Sequence, residues 1–109
     1  MNSKSSSAVE REILRPLWKI HILHHAGESA IVAHWMMEEL REHGYQVSPG
    51  TLYPMMARMT KIGWLRQTAA GRYRLTAGGR KALDEVLARL AELRGEALPR
   101  DGHHPKKPR

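Results

Sequence analysis

Apolar residues recur at helical intervals along the first quarter of the chain. Ile13, Leu14, Leu17, Trp18, Ile20, Ile22 and Leu23 nearly encircle a helix predicted over residues 9–26. A helix apolar on several sides is covered on several sides, here by its own domain and by a second subunit. Pro16 either opens that helix at its first turn or kinks a longer one. Gly27 is expected to stop it, and Ser29 to cap a second helix reaching about residue 43. In that helix Ile31, Trp35, Met36 and Leu40 face inward, while Glu38, Glu39, Arg41 and Glu42 face outward. Gly44 ends it. After the connection Tyr45-Gln46-Val47, Ser48 is placed to cap a third helix with Pro49 at the favoured first position. Leu52, Met55, Met56, Met59 and Ile62 then mark a buried face, with Thr51, Arg58 and Lys61 turned elsewhere. Pro54 removes a backbone donor in the second turn, which predicts a local distortion.

Beyond Gly63 the period changes. Residues 64–68 and 72–75 read as two short strands around Ala69-Ala70-Gly71, a β-hairpin that sends Arg72 and Arg74 to one face and Tyr73 and Leu75 to the other. Thr76 can cap a last helix through about residue 98, striped by Leu83, Val86, Leu87, Leu90, Leu93 and Ala97. The predicted fold is mainly α with a small β-hairpin: a winged helix-turn-helix followed by a C-terminal dimerisation helix. The stripe, with Leu14, Leu17 and Trp18 of the first helix, is the expected dimer interface.

Charge gives this fold a task. From His43 to Leu83 there is no Asp or Glu, but there are seven Lys or Arg. A one-sided positive field centred on a helix start attracts a phosphate backbone. In a helix-turn-helix the third helix presents its N-terminal half to the DNA major groove, and its dipole and free N–H groups hold phosphate. Ser48, Pro49, Gly50, Thr51 and Tyr53 at that end, with Arg58 and Lys61 further along, are the predicted DNA-binding residues. Arg66, Arg72 and Arg74 of the hairpin would lie near the flanking minor groove or phosphates. The competing reading is a solvated basic face with Tyr53 packed on the domain.

Composition narrows the remainder. At 109 residues the chain fits one domain with a modest core, of a size that gains stability from a partner subunit. Residues 1–8 are polar and Ser-rich, and 99–109 combine prolines with basic side chains. Both read as disordered tails flanking a DNA-binding domain at 9–76 and a dimerisation helix at 77–98. The tails supply over half of the +7 formal charge, so the local distribution is the more informative quantity. Cysteine is absent, which excludes disulfides and thiolate metal sites. No apolar run approaches the roughly 18 residues of a membrane span, and no signal-peptide core is present, so a cytoplasmic protein is expected.

The string Ser48-Pro49-Gly50-Thr51-Leu52-Tyr53-Pro54, followed by Arg58, Gly63 and Trp64, then Gly71-Arg72-Tyr73-Arg74-Leu75-Thr76 and Gly79-Arg80, resembles the PadR family of bacterial transcriptional regulators. The resemblance extends over about residues 11–93. It implies a homodimeric winged-helix repressor of an inverted-repeat operator, released by an effector and often autoregulating; the single final helix is similar to the shorter subgroup. Three departures stand out. Ala33-His34 replaces a common Gly-Tyr pair, the wing tip Ala69-Ala70-Gly71 is uncharged, and the final helix carries no aromatic residue for drug stacking.

Seven histidines suggest a second mode of regulation. His21 and His25 are four apart and His24 three from His21, so these imidazoles can share part of one helical face and bind a divalent metal effector, with Glu28 or a partner residue completing the site. Otherwise they are a packing residue and two imidazoles favoured by a helix C-terminus. His34 and Glu38 form another four-spaced pair, and His103-His104 in the tail can bind metal loosely. No cofactor is required by any motif. Met55, Met56 and Met59 read as adaptable core. Trp35 and Trp64 are expected to anchor the core, whereas Trp18, for which core packing is still somewhat favoured, is the better candidate of the three for the dimer interface or an effector cleft. A winged-helix protein-interaction module without DNA binding is the alternative class, which seven uncompensated basic groups disfavour. The chain has no cysteine nucleophile, no Gly-rich phosphate loop joined to a strand and Lys, and no strong zinc motif, so an enzyme is not predicted.

Overall fold

The computed structural model describes residues 7–98; the predicted tail at 99–109, with His103 and His104, and residues 1–6 lie outside the described residues. Residues 7 and 8, assigned above to the N-terminal tail, are already helical. That helix passes through a π-helical turn, Glu10–Leu14, and continues as α1, Arg15–Glu28. The Arg15 N–H reaches back to the Glu10 carbonyl. This wider turn makes room ahead of Pro16, whose ring presses on the preceding turn and which has no N–H to give. Pro16 therefore sits in the first turn of α1 while the chain before it is helical.

Gly27 does not end α1. A Cβ there would come within 2.8 Å of Arg80 Nη2 and 3.0 Å of Leu75 Cδ2, so its small size lets the wing and last helix approach. Nor does Ser29 cap the next helix. Ile31 instead exchanges backbone hydrogen bonds of 2.9 and 2.8 Å with Tyr73, adding a rung to the wing. Pairing of an extended, β-branched residue across the fold has outcompeted the local capping preference of Ser29. As a result α2 spans Ala33–Glu42, with Val32 at its start and no side-chain cap. Its buried face is Met36, Met37 and Leu40. Trp35, expected inside, is 46% exposed, because it lies about 100° around the helix from Met36, off the stripe that Met36, Met37 and Leu40 bury.

Two turns fix the geometry around α3, Pro49–Ile62. At the end of α2 the Gly44 N–H bonds the Arg41 carbonyl at 2.9 Å and the Tyr45 N–H the Leu40 carbonyl at 3.1 Å. The Arg41 guanidinium then forks onto the Val47 carbonyl, at 3.1 and 2.9 Å. Together they set the angle at which α3 leaves. Leu52, Met56 and Met59 are buried, Met55 is half-buried, and Ile62, expected on the same face, is 48% exposed in the last turn. The distortion expected at Pro54 does not interrupt the helix. Its missing donor would have bonded Gly50, in the exposed first turn where water can reach that carbonyl, and α3 is helical throughout. Gly63, at φ 101°, closes α3 in a left-handed conformation costly for other residues.

The hairpin consists of β1, Leu65–Gln67, and β2, Tyr73–Leu75, paired antiparallel with Leu65 opposite Leu75, Arg66 opposite Arg74 and Gln67 opposite Tyr73. The last helix, α4, spans Ala77–Ala97, and the Thr76 hydroxyl caps it by accepting the Gly79 N–H at 2.9 Å. A Cβ on Gly79 would overlap the Trp64 carbonyl and approach Leu75 Cδ1 to 2.6 Å, so only glycine seats α4 on β1. Trp18, Ile22, Met36, Leu40, Leu52, Met56, Met59, Leu65 and Leu83 form the fully buried centre of one core drawn from both strand and helix elements. Trp18 and Leu83 thus belong to this core rather than to a dimer surface, and Trp64 packs half-buried against it.

Candidate nucleic-acid interface

The start of α3 is open. Ser48, Pro49 and Gly50 are exposed and Thr51 is half-buried. Ser48 holds the cap position, but its hydroxyl bonds the Thr51 hydroxyl at 3.3 Å instead of capping a backbone N–H. Pro49 has no N–H and the Thr51 N–H turns back to the Ser48 carbonyl at 3.1 Å, so this end offers a phosphate the exposed Gly50 backbone and two hydroxyls. Tyr53 is 40% exposed beside them, and Arg58 and Lys61 are exposed further along α3.

The wing carries a second group of exposed cations. Arg66, Arg72 and Arg74 are all exposed, while Tyr73 and Leu75 are half-buried on the opposite face, as alternation predicts. Arg66 and Arg74 stand directly opposite each other across the two strands. Like charges in that register repel, so the pairing costs stability unless a polyanion neutralises it. Among the described residues no ion pair involves Arg58, Lys61, Arg66, Arg72 or Arg74. The hairpin turn is tied internally, by Gln67 Nε2 donating to the Gly71 carbonyl at 3.1 Å and the Arg72 N–H to the Thr68 hydroxyl at 3.2 Å. Its uncharged tip is thus held in shape while the arginines lie along its flank.

The expected dimer residues divide. Leu14, Leu17 and Val86 are half-buried, and Leu87, Leu90, Leu93 and Ala97 form an exposed apolar row on α4. Leu87 and Leu90 face Leu17, Ile20, His21 and Tyr45 across a cavity of about 290 Å³.

The histidines separate as well. His21 Nε2 shares a hydrogen bond of 3.0 Å with the Tyr45 hydroxyl, and its ring lies 5.1 Å from that of His43. Burial is the main cause lowering its pKa, followed by the nearby His43, His25 and His24, with Glu39 opposing. Burial likewise lowers the pKa of His25, aided by His24 and opposed by Glu39 and Glu28. Tyr45 is raised, by burial and then by Glu10. His24 and His25 converge with Glu28, not with His21. The sequence reading missed Glu39, His43 and Tyr45 in this corner. The four-residue spacing of Glu39 and His43 was the available signal for that pair, but nothing local joined either to α1.

A basic, uncapped third helix beside an arginine-bearing wing defines a winged helix-turn-helix DNA-binding protein. The chain belongs to the transcriptional regulator PadR-like family, whose model matches residues 22–85. It is 42% identical over 100 residues to the transcriptional regulator Rv3488 of Mycobacterium tuberculosis (strain ATCC 25618 / H37Rv), covering 85% of this chain and 94% of that protein. Its fold is similar to a crystal structure of a Streptococcus transcriptional regulator, with a TM-score of 0.63 at 20% identity over 75% of this chain and 89% of that one. The protein is a DNA-binding transcriptional regulator. No helix among the described residues is long and apolar enough to cross a membrane.

Proposed function

We infer that the protein is a cytoplasmic, homodimeric repressor that binds an inverted-repeat operator and is released by an effector. The observation that carries the DNA-contact reading is the Arg66–Arg74 pair, two like charges held in register on the wing that packs against α3. A protein-interaction module would gain nothing from that repulsion, whereas a phosphate backbone repays it. The exposed row Leu87, Leu90 and Leu93 supports the dimer, since a second α4 would cover it and place two α3 helices about one DNA turn, roughly 34 Å, apart. Homodimer, inverted repeat and release follow the pattern of the family that the chain resembles.

The test is a mobility shift with DNA from upstream of the protein's own gene, at two salt concentrations. Binding should weaken as salt rises, and Tyr53→Ala or Arg58→Ala should weaken it further without altering the circular dichroism. Retention of full affinity by both variants would remove α3 from the interface.

A further inference from the structure

We propose that the corner between α1 and α2 binds a divalent transition-metal cation through His24, His25 and Glu28 of α1 and Glu39 of α2, and that its occupancy regulates DNA binding. The regulatory half rests on the DNA-binding reading above; the site itself does not.

One donor atom each from His24, His25 and Glu28 lies within 4.8 Å of the others. Two pairs are closer. His24 Nε2 is 3.7 Å from Glu28 Oε2, and His25 Nε2 is 3.5 Å from Glu39 Oε2. Ligands bonded at about 2.0–2.2 Å around a tetrahedral ion stand roughly 3.3–3.5 Å apart, so each pair already approximates one edge of such a shell. The pairs also differ usefully in mobility. His25 and Glu39 are 17% and 22% exposed and are held by packing, whereas His24 and Glu28, at 53% and 64%, are free to rotate onto an ion. Imidazole with carboxylate and no thiolate suits Zn²⁺ and its borderline neighbours rather than Ca²⁺ or Mg²⁺. His21 is outside the set because Tyr45 holds its Nε2.

Two contacts connect the site to the DNA-binding surface. Glu39 also accepts a hydrogen bond of 3.1 Å from His43, next to the turn that aims α3. His25 meets the Trp35 ring edge-on, with centroids 5.2 Å apart, and Trp35 borders a cavity of about 370 Å³ with Arg72 of the wing. A cation that draws Glu39 and His25 together competes with both contacts.

The experiment uses the full chain with His103 and His104 replaced by Ala, so that the tail does not contribute. Isothermal titration with Zn²⁺ should give one ion per chain. His24→Ala with Glu28→Ala, both exposed and expected to fold as judged by circular dichroism, should weaken it at least about 10-fold, as should Glu39→Gln. His34→Ala should leave it unchanged. Zn²⁺ should then lower operator affinity about 5- to 150-fold, an effect abolished in the double variant. Equal Zn²⁺ affinity in the parent and the double variant would overturn the site, and operator binding indifferent to Zn²⁺ would overturn the regulation. Failure of the metal-free parent to bind operator would instead overturn the repressor reading, with the titration still legible.

Discussion

Arg66 and Arg74 face one another with no acid to separate them, and each contributes most when a phosphate lies between or beside them. Replacing Arg74 with Ala should therefore relieve repulsion in the free protein and weaken DNA binding, with the slope of log affinity against log salt falling by about one. An unchanged slope in a salt-dependent mobility-shift series would move the contact elsewhere. Gly79 is constrained for a different reason. Its missing side chain is the space occupied by the Trp64 carbonyl, which cannot rotate away, so Gly79→Ala should cost about 1–3 kcal/mol in urea unfolding. Trp18 fills the centre of the core although its indole N–H has no acceptor among the described residues. Trp18→Ala should cost about 3–5 kcal/mol, and Trp18→Phe much less, because it keeps most of the ring and removes the unpartnered donor.

At the scale of elements, burial at the junction of α1 and α2 lowers the pKa of His21 and His25. His21 faces His24 and His25 on its own helix, His43 and Glu39 from α2 and its end, and Tyr45 from the following turn. Burial lowers its pKa in the folded state, so the unfolded chain binds more protons as the pH falls through 6.5, the ordinary value. Stability contributed here is present above that pH and is lost as the pH drops through and below it. Thermal melts at pH 7.5 and 5.5 should show a fall in Tm that His21→Gln reduces; equal falls in both proteins would assign the sensitivity to another group. The wing is an element of three parts, since Ile31 pairs with Tyr73. That rung fastens the start of α2 to β2, so contacts made by the wing are mechanically joined to the helix-turn-helix.

For the whole molecule, the exposed row on α4 is the counterpart of the basic face. Leu87, Leu90 and Leu93 are 46%, 37% and 55% exposed along one helix, an apolar surface that a lone chain leaves in water. Leu90→Glu should convert the proposed dimer to a monomer in sedimentation velocity, and operator binding should fall by orders of magnitude as the two half-sites lose their linkage. A monomeric parent chain, or a variant that remains dimeric, would exclude α4 as the interface.

The sequence by itself determined the order of elements, the capped start of α4, the Gly63 stop, the apolar face carried by Leu52, Met56 and Met59, and the arginine flank of the wing. Each depends on neighbours within about one or two turns or on strand alternation, which periodicity reports directly. Only the tertiary structure decided that Ile31 would leave α2 to pair with Tyr73, that Trp18 would be buried while Trp35 turned outward, and that Gly27 would serve close approach rather than helix termination. It also divided the histidines, giving His21 to Tyr45 and bringing His25 to Glu39 from another helix. These outcomes follow from contacts between segments far apart in the chain, whose energies exceed the fraction of a kcal/mol to about 1 kcal/mol by which local capping and propensity bias the backbone.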